Sequence, residues 1–200
     1  MLLTLTFGAA GARADADPAS DYLIQLDAFY PFSTKVSTEQ KQALNAALAS
    51  GRRAGVPIKV AVIAATNDLG AVTVLFGKPH QYAKFLGTEL SYVTKARVLV
   101  VMPNGYGIWR GGKPVPAREV AALRALPPAG SSDGDKLTAA ANTAVRRLLA
   151  LHGVRVAPPP PTHSSTTADR VKIASGALAV VAIGLGASML LRRRRRLSNA

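Results

Sequence analysis

Cysteine is absent from the 200 residues, which excludes structural disulfides, thiolate metal sites and cysteine nucleophiles. Histidine is nearly as scarce. His80, His152 and His163 stand on separate stretches with no H-E-x-x-H or comparable ligand spacing, so each reads as a surface or helix-end residue and no metal site is expected. The chain has no G-x-S-x-G elbow and no Walker lysine motif. Gly105-Tyr106-Gly107 begins a G-x-G, but Arg110 stands where a third glycine would be and no helix opens there, so a dinucleotide cradle is excluded and no cofactor is implied. Acidic residues are few as well: 11 Asp and Glu face 25 Lys and Arg, for a formal charge of +14. An apolar content of 48% is too high for a disordered basic tail, and the length fits one modest domain plus extensions. A charge of this size invites a nucleic-acid reading, which depends on where the charges sit.

The two ends of the chain speak to topology. Ile173 to Leu191 is a run of 19 residues without charge, followed at once by Arg192, Arg193, Arg194, Arg195 and Arg196. At 1.5 Å per residue such a run covers about 28 Å, close to the thickness of the bilayer's hydrocarbon core. It reads as one C-terminal transmembrane helix, residues 173–191. Five arginines after the run outweigh Arg170 and Lys172 before it, so the basic tail, residues 192–200, is expected in the cytoplasm and everything before the helix outside. At the other end, the apolar stretch Leu2 to Gly11 and the A-x-A-like Ala12-Arg13-Ala14 read as a signal peptide over residues 1–14, with Ala14-Asp15-Ala16 as an overlapping second cleavage site. No basic residue precedes the apolar stretch, a departure from the full pattern. The expected location is the cell membrane, single-pass. An apolar span with an arginine tail also resembles a cell-wall sorting signal, but Leu126-Pro127-Pro128-Ala129-Gly130 lacks the threonine of the sorting pentapeptide, so the span is expected to be a permanent anchor. Within it, Ala182 with Gly186 and Gly184 with Ser188 are small-xxx-small pairs that would support homo-association.

Between the ends, the pattern alternates strand and helix. Tyr22 to Phe29 reads as an opening strand. Ser37 and Gln40 form a capping-box signal ahead of a helix carrying Leu44, Ala47, Leu48 and Gly51 on one stripe. The near-continuous apolar runs Pro57 to Ala65 and Arg97 to Met102 read as strands covered on both faces, with a helix from Pro79 to about Tyr92 between them. Tyr82, Phe85, Leu86 and Leu90 recur on that helix at core spacing rather than as a ligand box. Pro103 to Gly107 turns the chain into a hairpin ending at Ile108-Trp109. Two further helices are expected, Ala117 to Leu126 and one after Asp133 to Asp135 with Leu137, Ala141, Ala144, Leu148 and Leu151 facing inward. The order argues an α/β fold, a layered α/β/α domain with a mostly parallel sheet, over residues 18–156. Residues 157–170, four prolines followed by a Ser/Thr-rich run, read as a stalk.

Residues that could carry chemistry are few. Asp27, near the end of the first expected strand, and Asp68, just past the second, would meet at the carboxyl edge of a parallel sheet, where open α/β folds place ligands. Asn67, Asn104 and Tyr106 reach the same edge if the strands are parallel, as candidate ligand-binding residues. Against this, Asp and Asn after strands commonly make turn hydrogen bonds.

The block from Leu44 to Trp109 resembles the TPM domain. It has a leading helix, the apolar strand Ile58 to Ala65, a helix carrying Tyr82-Ala83 and Phe85, the strand Val98 to Val101, and a turn with Gly105 and Gly107. The resemblance implies an extracytoplasmic α/β module tethered by a membrane helix. In that family some members are linked to phosphatase activity and others to photosystem repair or receptor assembly. The acidic-then-basic cluster that such domains carry after the third strand is replaced here by Met102-Pro103-Asn104-Gly105-Tyr106, which has no carboxylate.

These observations favour a membrane-anchored extracytoplasmic binding or accessory domain without a catalytic site. The alternative is a hydrolase of phosphatase type using Asp27 and Asp68. The +14 divides accordingly: five charges are the arginine tail, and residues 21–157 hold 17 basic and 8 acidic residues in scattered singles and pairs. Nucleic acid is excluded as a partner by export. The bilayer itself, other membrane or envelope proteins and anionic envelope polymers are the partners this charge suits.

Overall fold

A computed structural model describes residues 17–156; the signal stretch, stalk, apolar span and arginine tail of the sequence reading lie outside the described residues. In chain order the elements are α1 (Pro18–Gln25), β1 (Ala28–Phe29), α2 (Thr38–Arg53), β2 (Ile58–Val62), a 3-10 stretch (Thr66–Leu75), α3 (Pro79–Glu89), a 3-10 turn (Leu90–Tyr92), β3 (Arg97–Met102), β4 (Gly105–Arg110), α4 (Ala117–Arg124) and α5 (Gly134–Ala150). The strands form one sheet in the order β1-β2-β3-β4. The β1–β2 and β2–β3 pairs are parallel and the β3–β4 hairpin is antiparallel, so the sheet is mixed.

Strand alternation sorts the core into two halves. Val60, Val62, Leu99 and Val101 point to one face, where Leu44 and Leu48 of α2, Leu123 of α4 and the stripe Leu137, Ala141, Ala144 and Leu148 of α5 cover them. Ala61, Ile63, Val98, Val100 and Met102 point to the other, under Leu23 of α1 and Tyr82, Leu86 and Leu90 of α3 and its following turn. Every residue of β2 and β3 is buried, as expected of strands with helices on both faces. Both cores are built from residues within 17–156.

The expected opening strand is instead a helix followed by a two-residue strand. Asp17 caps α1, Pro18 occupies its first turn, and Ala19, Ser20 and Leu23 are buried at helical spacing. Tyr22, Ile24 and Leu26, whose β preference suggested a strand, face solvent. Val72 to Leu75 close the 3-10 stretch, in which Gly70 takes a positive φ of +53. At α2, Ser37 Oγ accepts from Gln40 N–H at 3.4 Å, half of the expected capping box. The Ser37 N–H is taken by Asp135 Oδ1 at 2.7 Å, which ties α2 to the start of α5.

Candidate functional site

Asp27 and Asp68 are not brought together. Asp27 precedes β1, on the side where the parallel strands begin, because the chain up to Gln25 is helical. It pairs with Arg52 of α2, and Lys59 Nζ of β2 lies 3.5 Å from its Oδ1 while donating to the Leu26 carbonyl at 2.8 Å. Asp68 sits past the other end of β2, fully buried. Its Oδ1 accepts from the N–H groups of Phe32 and Ser33, and its Oδ2 from Ser33 Oγ and the N–H groups of Ala64 and Ala65, all within 3.0 Å. The five residue steps from Lys59 to Ala64 separate the two ends of β2 by roughly 16 Å along the strand. Asp68 is a loop tie, joining the segment after β1 to the segment after β2.

The other candidates do reach the carboxyl side of the strands. Asn104 and Tyr106 line a cavity of about 360 Å³ with His80, Arg124 and an apolar floor of Ile108 and Leu123. Both polar groups are engaged within the fold: Asn104 Nδ2 donates to the Gly77 carbonyl at 2.6 Å and the Tyr106 hydroxyl to that of Pro127 at 2.9 Å. Burial pushes the Tyr106 phenol above its ordinary value. No carboxylate lines this cavity; its ionisable lining is His80, Tyr106 and Arg124. Asn67 is exposed on the 3-10 stretch and does not line it. A larger cavity, about 580 Å³, opens beside the edge strand β1 between α1 and α2, where Asp27 and Arg52 lie among Tyr22, Tyr30 and Phe32. Burial pushes the Tyr30 phenol up to about 12.

Two ionisable clusters carried no motif that sequence spacing could reveal. In the first, Arg97 at the start of β3 grips Glu119 of α4 through two bonds of 2.9 Å, and His152 Nε2, just past α5, lies 2.9 Å from Glu119 Oε1. Burial alone would raise the Glu119 carboxyl, but the bonds from Arg97 and His152 outweigh it and hold it below the usual carboxylate range. His152 is thus a helix-end residue, as expected, but one locked to a buried carboxylate. In the second, the Tyr82 hydroxyl donates to Asp17 Oδ1 at 2.5 Å, while Asp17 Oδ2 is buried without a hydrogen-bond partner among the described residues. Burial raises the Asp17 carboxyl to about 6 against the opposing effect of the Tyr82 bond, and burial beside that carboxylate raises the Tyr82 phenol.

Among the described residues, no group of three or more His, Asp or Glu side chains is placed to hold a metal ion, and no helix is long and apolar enough to cross a membrane. Cations behave differently from the carboxylates. Arg52, Lys59 and Arg97 pair with Asp27 or Glu119, whereas Arg53, Lys95, Arg110, Lys113, Arg118 and Arg124 make no ion pair among the described residues. No family model, no curated protein and no solved structure matches this chain.

Proposed function

We propose that this chain is a membrane-anchored extracytoplasmic domain that binds rather than catalyses, acting at an anionic membrane or envelope surface. In this reading it is held by the apolar span 173–191 on the stalk 157–170, with the TPM-like order of elements as its kinship. One observation carries the proposal: the buried carboxylates Asp68 and Glu119 are consumed by the scaffold, while surface cations are left without counter-charges. Asp68 and Glu119 are fully buried and committed to loop amides and to Arg97, so neither is free to meet a substrate. The two-carboxylate hydrolase has no geometry in its favour, because Asp27 and Asp68 stand at opposite ends of the parallel strands. A domain with a large unpaired positive excess is attracted to an anionic surface, and salt screens that attraction with a Debye length of about 10 Å at 0.1 M. The test is co-sedimentation of residues 17–156 with phosphatidylcholine vesicles, with and without phosphatidylglycerol, across a salt series. Binding confined to the anionic vesicles and weakening steadily with salt is the expected result; indifference to lipid charge overturns the proposal.

A further inference from the structure

At the corner where α3 gives way to β3, the 3-10 turn meets the end of β4. Lys95, Arg110 and Lys113 surround a recess of about 340 Å³ whose remaining lining is Gly111 and Gly112. No carboxylate borders it, and none of the three cations forms an ion pair among the described residues. The walls share one anchor. Lys95 Nζ donates to the Ser91 carbonyl at 2.8 Å, and a Cβ on Gly111 would lie 3.5 Å from that of Ser91, so the glycine turn rests on the same residue. Gly112 has φ +70, a left-handed conformation suited to glycine, and nothing lies within 4 Å of where its Cβ would be. The main chain here is open to an oxyanion.

The two residues following Ser91 lie outside the core. Tyr92 is 92% exposed and Val93 is 59% exposed, an aromatic and a β-branched side chain standing uncovered beside the cationic recess. A free anion would use the cations and leave the apolar pair without a role. A bilayer surface uses both, because phosphates lie at the level of the cations while tyrosine favours the boundary between head groups and acyl chains. We infer that this corner is a lipid-contact site in which Lys95, Arg110, Lys113 and the Gly111-Gly112 turn hold the phosphate of an anionic phospholipid while Tyr92 and Val93 enter the interface. The inference rests on the anionic-surface reading above and assigns that binding to one face of the domain.

The experiment compares residues 17–156 with three variants on phosphatidylglycerol-containing vesicles: K95A/R110A/K113A, Tyr92→Ser, and a control of equal charge loss, R53A/K136A/R147A. All the substituted side chains except that of Arg110 are exposed, and circular dichroism verifies that each variant is folded. The site triple is expected to lose about a hundredfold in vesicle affinity and the control no more than about threefold, since each cation near a bilayer contributes roughly a tenfold factor or less. Tyr92→Ser is expected to lose several-fold and to leave the salt slope unchanged. Equal losses in the two triples overturn the site while leaving general anionic-surface binding intact. Failure of the unaltered domain to bind anionic vesicles overturns both. Full competition by inorganic phosphate with no effect of Tyr92→Ser makes the recess a small-anion site and overturns the lipid assignment, as does capture of a soluble acidic polymer in place of vesicles.

Discussion

Asp68 holds two loops with one carboxylate, and its five donors come from residues far apart in the chain: Phe32 and Ser33 on one side, Ala64 and Ala65 on the other. An amide at this position would turn an NH2 group toward some of those donors. Asp68→Asn is therefore expected to cost about 3 kcal/mol, visible as a lower urea midpoint with an unchanged slope. A residue kept for hydrolysis would lose little stability. Asp17 gives the opposite kind of prediction. Its folded carboxyl titrates at about 6 against an unperturbed 3.8, so the folded state holds its proton more tightly than the unfolded chain does. The native state consequently loses stability from this group as the pH rises from about 4 to about 6, and has lost all of that contribution above 6. An amide in its place does not titrate, so the difference in unfolding free energy between Asp17→Asn and the native sequence is expected to shift by about 2–3 kcal/mol in the variant's favour between pH 4 and pH 7, read by urea unfolding at the two values. A constant difference would show that Asp17 is ionised with equal ease in both states.

At the scale of elements, β4 and α3 approach closely at two glycines, Gly107 and Gly87. A Cβ on Gly107 would fall 2.0 Å from the Pro79 carbonyl oxygen, and one on Gly87 would fall 2.0 Å from Trp109 Cδ1. Backbone cannot yield as a flexible side chain does, so Gly107→Ala is expected to force the first turn of α3 off the hairpin and lower stability by about 3 kcal/mol, measurable as a drop in thermal midpoint. The sequence pattern assigns Gly107 to a turn, whereas it lies within β4 opposite Val100, and its contact with α3 has no sequence signal because the partner lies in another element. The same division runs through the fold. β2, β3 and the β3–β4 hairpin were legible because a short continuous apolar run bounded by Pro and Gly suits little but a buried strand, and α2, α3 and α5 because their apolar stripes keep helical spacing. The first element was not, since Tyr22, Leu23 and Ile24 favour a strand locally while the capping carboxylate of Asp17 and the fixed φ of Pro18 start a helix just before them. Reading that helix as a strand puts Asp27 at the carboxyl end of β1 instead of at its beginning, and so creates the apparent carboxylate pair. Asn104 and Tyr106 did reach a shared cavity, because a tight hairpin after a buried strand leaves little freedom in where its turn ends. The cationic corner was invisible, because Lys95 and Arg110 become neighbours through sheet pairing and the Gly111-Gly112 turn.

For the molecule as a whole, the distribution of charge separates two kinds of basic residue. The arginines 192–196 lie together next to an apolar span, where a cluster biases orientation during insertion. The cations of the described domain are scattered over its surface, and their number alone would equally suit a cytoplasmic nucleic-acid binder. Topology decides between these readings, since a domain outside the cell membrane meets lipid head groups and envelope polymers but no chromosomal or ribosomal nucleic acid. In the proposed arrangement, a reporter active only outside the membrane is active when fused after Val156 and silent when fused after Ala200, and a reporter active only in the cytoplasm shows the reverse. Replacing the five arginines with neutral residues removes most of the bias, because only Arg170 and Lys172 would then remain near the span, on its other side. Fusions after Ala200 of that variant are expected to show mixed orientation. Cytoplasmic activity after Val156 in the unaltered chain would place the domain's unpaired cations on the side of the nucleic acids, and the lipid-contact corner would then face the inner leaflet or not function as one at all.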